Sequence, residues 1–209
     1  MRLYYFPVAP NPTRLRLYLA EKAQGGCEIA LEYVQVHLPN GEQNSPEHRT
    51  RNPLGRVPVL ELDDGSYLCE SLAIIEYFEE LHPEPPMIGR TPLERARVRE
   101  LERVAELGVL HPIARIVHAS NSPLGLPPNP EVAEHFRGVL PAGLQLLDTR
   151  IGDAPFVAGE APSIADCTLA AALQFGRFRG IGIDSDYANL ARWDAAYRER
   201  ASAKDIIVL

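Results

Sequence analysis

The chain has 209 residues, enough for one large or two small domains, and 45% of them are hydrophobic, as in ordinary globular proteins. The formal net charge is −7 and there is no strongly basic run, which argues against a nucleic-acid partner because phosphate binding requires a positively charged face. No stretch approaches the length of an apolar membrane span, so we expect a cytoplasmic protein without membrane contact.

The cysteines indicate neither a disulfide framework nor a metal site. Cys27, Cys69 and Cys167 are odd in number, far apart, and without the Cys/His spacing of zinc ligands. We therefore expect reduced thiols and no bound metal, which is usual for cytoplasmic proteins.

The first part of the chain has the pattern of a small mixed α/β domain. The predicted elements, in chain order, are a strand at 3–6, a helix from Thr13 that stops at Gly25-Gly26, a strand at 29–36, a polar loop at 38–56, a hairpin at 57–62 and 66–69, and a helix at 71–82. The order β-α-β followed by β-β-α predicts a mixed sheet whose first two strands are parallel.

A proline-rich segment, HPEPPMIGRTP at 82–92, is the best candidate for a domain boundary. Beyond it the chain has only helical patterns, at 93–119 with a kink expected at Pro112, at 131–151 with another at Pro141, and from Ser163 and about Asn189 onwards. The sequence therefore predicts an α/β domain at 1–82, a linker at 83–92 and an all-helical C-terminal domain at 93–209.

Two stretches carry a family resemblance. NPLGRVPVLELDDG followed by LCES resembles the core signature of the glutathione S-transferases, and FVAGEAPSIADC followed by NLARW resembles the second-domain pattern of that family. The match keeps the family's order over nearly the whole chain and is of the theta/beta-like bacterial type. The resemblance implies a thioredoxin-like domain followed by a helical one, glutathione as co-substrate, a small hydrophobic electrophile as second substrate, and a homodimer.

Val57-Pro58 is the first motif to which the resemblance gives a role. On its own, a proline at the start of a strand is most often an ordinary trans proline at a sheet edge. In the family this peptide bond is cis, and the resemblance implies that the Val57 backbone pairs with the cysteinyl backbone of glutathione, as in strand addition.

Glu70-Ser71 stands where a strand passes into a helix. Serine is a good helix cap and glutamate is favoured in a first turn, so the pair is compatible with an ordinary helix start. A helix N-terminus also binds carboxylates through its unpaired N–H groups. The resemblance implies that Ser71 binds the γ-glutamyl carboxylate and that Glu70 accepts from the neighbouring α-ammonium group.

A third contact is expected from the polar loop that precedes Val57. The family resemblance points to Gln43 as the residue that holds the glycine carboxylate of glutathione. Arg56 carries a permanent charge next to Val57 and is an alternative ligand for the same carboxylate. Either side chain is also compatible with a solvated loop position.

The group that activates the thiol is the open question, and it concerns the proline elbow, YFPVAPNPTR at 5–14. The position where related sequences carry serine falls on Ala9-Pro10, and the elbow has no cysteine for thiol exchange. Three candidate donors follow, in decreasing preference: Asn11, through its neutral amide; Tyr5, unless it packs in the core; and Thr13, unless it caps the helix.

The electrophile pocket is expected between the two domains, lined by Val8 of the elbow and by Leu110, His111 and Arg115 of the first long helix. The function predicted from all of these residues is conjugation of the glutathione thiolate to a hydrophobic electrophile. One alternative is a glutathione-binding scaffold protein with little catalysis, which Ala9-Pro10 would favour. Another is a glutathione-dependent peroxidase, isomerase or dehalogenase.

Overall fold

The structure is a computed structural model that describes residues 1–182 and 186–208. Residues 183–185 and 209 of the predicted helical domain therefore lie outside the described residues. Within the described ranges, no helix is both long and apolar enough to cross a membrane.

The N-terminal half contains the predicted mixed sheet. Its strands are β1 (Arg2–Tyr5), β2 (Glu32–Gln35), β3 (Val59–Glu61) and β4 (Tyr67–Cys69), in the spatial order β2-β1-β3-β4. β1 and β2 are parallel, and the other pairs are antiparallel, with Leu3 opposite Tyr33 on one side and Leu60 on the other. β3 is shorter than expected because it begins after Pro58, which has no N–H to donate to a ladder.

Three helices accompany the sheet: α1 (Pro10–Gln24), α2 (Pro46–Arg51) and α3 (Ser71–Leu81). α1 begins three residues earlier than predicted, at Pro10. Proline is favoured at the first helical position, because an N–H there would have no partner within the helix. α2 was not predicted. The presumed loop at 38–56 also contains two 3₁₀ turns at 38–40 and 42–44, and Ser45 caps α2 by accepting a hydrogen bond from the His48 N–H at 3.1 Å.

The C-terminal half is helical, as predicted. Its helices are α4 (Pro92–Val104), α5 (His111–Asn121), α6 (Pro130–Ile151), α7 (Ile164–Arg177), α8 (Ala188–Arg198) and α9 (Ala201–Lys204). A π-helical segment at Ala105–Leu110 joins α4 to α5, so the chain is helical from Pro92 to Asn121 and its irregularity lies just before Pro112, which has no N–H for the regular ladder. α6 continues through Pro141.

α1 connects the two halves through buried polar contacts as well as through the common apolar core. Glu21 accepts hydrogen bonds from Arg200 Nη2 at 2.6 Å and from the Ser202 hydroxyl at 2.7 Å. On the same helix, Lys22 is fully buried and lies 2.7 Å from the Glu79 carboxylate of α3. These contacts hold α1 in place, and with it the proline elbow that leads into it.

Candidate functional site

A small cavity lies at the end of the sheet where the N-termini of α1 and α3 meet the loop before β3. We call it the polar cavity; it has a volume of about 30 Å³ and is lined by Asn11, Asn52, Arg56, Val57, Pro58, Glu70 and Ser71. Six of these residues were predicted from sequence, and Asn52 was not. The Val57–Pro58 peptide bond is cis, as the family resemblance implied.

Two buried side chains hold the peptide that leads into Val57. The Arg56 carbonyl accepts a hydrogen bond from Asn52 Nδ2 at 3.1 Å and lies 3.0 Å from His48 Nε2. The Leu54 N–H donates to Asn52 Oδ1 at 3.0 Å, which forms an Asx turn. The sequence N-P-L-G is typical of such a turn, so this role of Asn52 could have been predicted. Among the described residues, neither the N–H nor the C=O of Val57 has a hydrogen-bond partner, so both are available to an extended peptide.

Glu70 has an unusual backbone conformation. Its φ of 68° makes it the one non-glycine residue with positive φ among those described, and its side chain is exposed. Such a conformation costs on the order of 1 kcal/mol and is concentrated at functional sites. It places an acidic side chain immediately before the N-terminus of α3.

Ser71 is buried, and its hydroxyl oxygen accepts a hydrogen bond from Arg14 Nε at 2.7 Å. Because Arg14 occupies an acceptor position of that oxygen, the hydroxyl proton remains available to a ligand. The N–H groups of the first turn of α3 have no partner within the helix, whose first backbone bond runs from the Ile74 N–H to the Glu70 carbonyl. The arrangement is suited to a carboxylate.

Arg14 is itself held by acidic groups of the helical half. Its Nη1 lies 3.3 Å from Glu102 Oε1 and 2.7 Å from Glu106 Oε2, and the Thr168 hydroxyl donates to Glu102 at 3.1 Å. Burial raises the pKa of Glu102 to about 7 in spite of the Arg14 charge. For the less buried Glu106, the charge and hydrogen bond of Arg14 outweigh burial and lower the pKa. In the described part of the chain, no three or more His, Cys, Asp and Glu side chains are grouped closely enough to hold a metal ion.

The first turn of α1 offers a single backbone donor. Pro10 and Pro12 have no N–H, and the N–H of Thr13 already bonds the Ala9 carbonyl at 3.0 Å. The Asn11 N–H is therefore the one unpaired amide of that turn, at the positive end of the helix dipole. The Asn11 side chain is exposed and lines the polar cavity, so it is the candidate donor that the structure brings to the site.

The other two candidate donors lie elsewhere, which corrects their expected placement. Tyr5 shares the face of β1 with buried Leu3, and its ring contacts Tyr33 at 5.7 Å between centroids, in a different cavity. Thr13 is fully buried, with its hydroxyl 2.9 Å from the Ala9 carbonyl oxygen and 3.1 Å from that of Pro7. Its hydroxyl therefore stabilises the elbow itself.

Gln43 does not line the polar cavity. It lies in the 3₁₀ turn Glu42–Asn44, and its Oε1 is buried without a hydrogen-bond partner among the described residues. Its main-chain carbonyl packs against Gly55, where an added Cβ would lie 2.9 Å from that oxygen, so this position requires glycine. Arg56, by contrast, lines the cavity, and no described residue pairs with its guanidinium.

A second cavity, which we call the apolar cavity, lies between the proline elbow and the helical half. It has a volume of about 280 Å³ and is lined by Phe6, Val8, Ala9, Pro10, Leu38, Pro39, His118, Pro123, Leu124, Phe175 and Phe178. Val8 lines it as expected. Leu110, His111 and Arg115 do not: Leu110 is buried in the core, while His111 and Arg115 contact the ring of Phe136 on α6. Because α5 reaches the elbow only near its C-terminal end, the lining residues come two turns later than predicted.

His118 is the one ionisable side chain among the described residues that line the apolar cavity, and the sequence analysis missed it. Its Nδ1 lies 2.9 Å from the Ser122 hydroxyl. Burial, with the charges of Arg115 and Arg179, holds its pKa below the usual value of 6.5, so the imidazole is neutral at pH 7. The feature of the sequence that could have indicated this part of the pocket is the apolar pair Pro123-Leu124, which follows the helix.

Comparison with known proteins agrees with this geometry. Family profiles described as "Glutathione S-transferase, N-terminal domain" and "Glutathione S-transferase, C-terminal domain" match residues 3–86 and 130–193. The chain is 34% identical to glutathione S-transferase 2 of Saccharomyces cerevisiae, over 99% of this chain and 89% of that protein. It is 29% identical to a maleylacetoacetate isomerase of Pseudomonas aeruginosa, over 95% and 94% of the two chains. The solved structure of Gtt2 from Saccharomyces cerevisiae superposes with a TM-score of 0.89 at 34% identity, covering 99% of this chain and 100% of that one. The chain therefore belongs to the glutathione S-transferase family of transferases.

Proposed function

We propose that this protein conjugates the thiolate of glutathione to a small hydrophobic electrophile, as in detoxification. The observation that carries the proposal is the division of the proline elbow between the two cavities. Pro10 lines the apolar cavity and Asn11, the next residue, lines the polar cavity. A peptide bound in one cavity would thus present its thiol at the wall of the other, within reach of an apolar substrate.

Glutathione would bind through charges and backbone groups of the polar cavity. Val57 pairs with the cysteinyl backbone, Ser71 and the first turn of α3 hold the γ-glutamyl carboxylate, and Glu70 accepts from the α-ammonium group. Arg56 is our first choice for the glycine carboxylate, because it lines the cavity without a carboxylate partner among the described residues. Gln43 stays a second choice on the adjoining turn.

Asn11 would stabilise the thiolate. A free thiol has a pKa of about 8.5, so only a few per cent is ionised at pH 7. The Asn11 N–H, its side-chain amide and the helix dipole each favour the anion, and together they would lower the thiol pKa by about one or two units. The thiolate then attacks the electrophilic carbon: an S–C bond forms, the leaving group departs with its electron pair, and the thiol proton has already passed to solvent.

A second candidate function is a glutathione-dependent isomerase, since the chain resembles a maleylacetoacetate isomerase over almost its full length. A peroxidase or dehalogenase would need the same thiolate with a different second substrate. Ala9 and Pro10 favour a different hypothesis, a scaffold protein that binds glutathione without turnover, because neither side chain has a hydrogen-bond donor.

Two measurements on the same preparation distinguish these functions. Calorimetric titration with glutathione measures binding, and turnover with 1-chloro-2,4-dinitrobenzene and with maleylacetoacetate measures the two chemistries. We expect conjugation, and we expect Glu70→Ala to weaken binding while Glu80→Ala, at the exposed end of the same helix, does not. Binding without either turnover would establish the scaffold protein, and faster isomerisation than conjugation would establish the isomerase.

We also propose that the chain forms a homodimer and acts in the cytoplasm. Support for the dimer comes from three large apolar side chains that are exposed in the single chain, Tyr67, Leu93 and Leu107. Support for the compartment comes from three free cysteines. Light scattering after gel filtration tests the dimer: Leu93→Asp should yield monomer, and a wild-type monomer at micromolar concentration would refute it.

A further inference from the structure

A buried amide side chain, that of Gln174, lies on α7 behind the proline elbow. Its neighbours along the helix are Leu173 and Phe175, and all three side chains are buried. Gln174 lines neither the polar nor the apolar cavity. An amide in apolar surroundings is costly unless both of its ends are hydrogen-bonded, so the partners of Gln174 indicate its role.

Both ends of the Gln174 amide are hydrogen-bonded, and the partners fix its orientation. Oε1 accepts a hydrogen bond from the Val208 N–H at 2.8 Å. A backbone N–H can only donate, so this contact identifies the oxygen end of the amide. Nε2 therefore points the other way and donates to the Thr13 hydroxyl oxygen, at a long 3.4 Å. Gln174 thus connects the segment that follows α9 to the first turn of α1.

The Thr13 hydroxyl continues this chain of hydrogen bonds into the elbow. Its oxygen accepts from Gln174, so its own proton is directed at the elbow carbonyls. The carbonyl oxygens of Ala9 and Pro7 lie 2.9 Å and 3.1 Å from Thr13 Oγ1. Within the described ranges, the Pro7 carbonyl has no other hydrogen-bond donor. The hydroxyl therefore holds the backbone on both sides of Val8, which lines the apolar cavity.

The elbow backbone also decides where the free N–H of Asn11 points. Asn11 follows Ala9 by two residues, and the prolines on either side of it have no N–H that could anchor the turn. A hydrogen bond weakens steeply when its donor turns away from the acceptor. The Thr13 hydroxyl, which helps to hold the Ala9 carbonyl, therefore influences how well Asn11 meets an acceptor in the polar cavity.

We propose that Gln174 is a positioning residue for the thiol of glutathione. It orients the Thr13 hydroxyl, which holds the elbow, so that the Asn11 N–H is directed at the sulfur. The Val208 N–H holds Gln174 in turn, so this support begins outside both cavities. Three donors that point the same way along one chain also polarise one another. The proposal rests on the conjugation function proposed above, because it concerns the acidity of the bound thiol.

The first test replaces the amide without changing the length of the side chain. Gln174→Met keeps an unbranched side chain but cannot donate to Thr13. The pKa of the bound glutathione thiol, followed by the ultraviolet absorbance of the thiolate, should rise by about half a unit. The affinity for S-methylglutathione should change less than about twofold. Gln145→Met, on the exposed face of α6, is the matched control and should leave both quantities unchanged.

The pH profile of turnover separates positioning from stability. With 1-chloro-2,4-dinitrobenzene, the rate below the thiol pKa follows the thiolate fraction, so Gln174→Met should be about threefold slower there. At a pH above the thiol pKa of both proteins, the two rates should be equal. A variant that only lost folded protein would be slower by the same factor at every pH.

Variants of Thr13 test the next link of the chain. Thr13→Val removes the hydroxyl and should raise the thiol pKa at least as much as Gln174→Met does. Thr13→Ser keeps the hydroxyl and should have the wild-type pKa. Thr13→Val combined with Gln174→Met should behave as Thr13→Val alone, because both substitutions break the same chain of hydrogen bonds.

Variants of Val208 test the chain from its other end, and they also serve if Gln174→Met does not fold. Val208 is 63% exposed, so its side chain contributes little to the core. Val208→Pro removes the N–H that holds Gln174 and should raise the thiol pKa. Val208→Ala keeps this N–H and should not change the pKa.

The proposal is overturned if Gln174→Met leaves the thiol pKa unchanged, if the double variant adds the two single effects, or if turnover falls equally at every pH. If wild type binds glutathione without lowering its thiol pKa, the conjugation function fails instead. Backbone amide exchange then decides the role of Gln174. Gln174→Met should speed the exchange of the Thr13 N–H about fivefold relative to Gln145→Met, and equal exchange would refute the link.

Discussion

The N-termini of α1 and α3 meet at one cavity, yet they are built in opposite ways. α3 begins with Ser71, and its first turn has a full set of free N–H groups behind the strained Glu70. α1 begins with Pro10-Asn11-Pro12, which leaves one free N–H. A carboxylate has two oxygens that need several donors, whereas the single sulfur of a thiolate is a weak acceptor that needs fewer. In the proposed function, this difference favours the ligand's carboxylate at α3 and its sulfur at α1.

The two termini also differ in what supports them. Behind α3, Arg14 links the Ser71 hydroxyl to Glu102 and Glu106 of the helical half. Behind α1, the Thr13 hydroxyl bonds the elbow's own carbonyls and accepts one long hydrogen bond from the neutral Gln174 Nε2 of α7, at 3.4 Å. We therefore expect substitutions at α3 to affect ligand affinity and those at α1 to affect chemistry.

Removing the Ser71 hydroxyl should have the largest effect. Ser71→Ala loses the donor to the carboxylate and leaves Arg14 Nε without its acceptor, so we expect the dissociation constant of glutathione to rise about 100-fold. Ser71→Thr keeps a hydroxyl and should stay within about threefold of wild type. Calorimetry measures both, with Ser66→Ala, on the exposed hairpin turn, as the control. Less than a threefold loss in Ser71→Ala would contradict the carboxylate site.

The buried support of α3 should be visible in the pH dependence of stability. Because burial raises the pKa of Glu102 from 4.5 to about 7, the folded protein retains a proton that the unfolded chain releases at lower pH. The stabilisation by this proton is complete below pH 4.5 and is lost as the pH rises through about 7.

The Glu102→Gln variant has no ionisable group at this position, so its free energy of unfolding should not show this pH-dependent loss. Between pH 5 and pH 8, wild type should lose roughly 2 kcal/mol more free energy of unfolding than Glu102→Gln, measured by urea denaturation. Glu80→Gln, an exposed position on α3, should follow wild type. If the free energy of unfolding had the same pH dependence in wild type and in Glu102→Gln, Glu102 would be ionised in the folded protein over this whole pH range.

Asn11→Ala tests the α1 side of the comparison. With the side-chain donor removed, the pKa of the bound thiol should rise by about one unit, and the rate at pH 7 should fall about 10-fold. Affinity for S-methylglutathione, which has no thiol, should stay unchanged, and Asn40→Ala in an exposed 3₁₀ turn serves as the control. An equal loss of S-methylglutathione affinity would make Asn11 a general ligand contact instead.

The smallest effect is expected in the apolar cavity next to α1. His118 is neutral at pH 7 because its pKa is lowered, and it gains a charge when the pH falls below that value. A charged wall disfavours an apolar substrate, so the wild-type KM for the electrophile should rise about threefold once the pH falls below the lowered pKa of His118. His118→Phe should show no such rise at saturating glutathione. The exposed His135→Phe should behave as wild type; a pH-independent wild-type KM would argue against a role for His118.

The polar cavity was largely predictable because its residues belong to short local motifs. Val57-Pro58 and Glu70-Ser71 mark a strand start and a helix start, and each places its own backbone groups regardless of distant contacts. Side chains were harder to place. Tyr5 depends on which face of β1 packs on the core, and α5 reaches the elbow two turns beyond His111, at His118. Both errors concern direction or distance along an element that was itself predicted correctly.

The sequence by itself determined most of the elements other than α2, their order and the backbone donors of both helix termini, because prolines and caps act on the residues beside them. In the proline elbow, the alternation Pro-Asn-Pro already leaves one N–H at the start of α1. Only the tertiary structure decided which partners the buried charges have. Arg14 reaches Ser71 and Glu102, which are 57 and 88 residues away along the chain. No local sequence pattern predicts such long-range contacts, because they form only when packing buries the two side chains together.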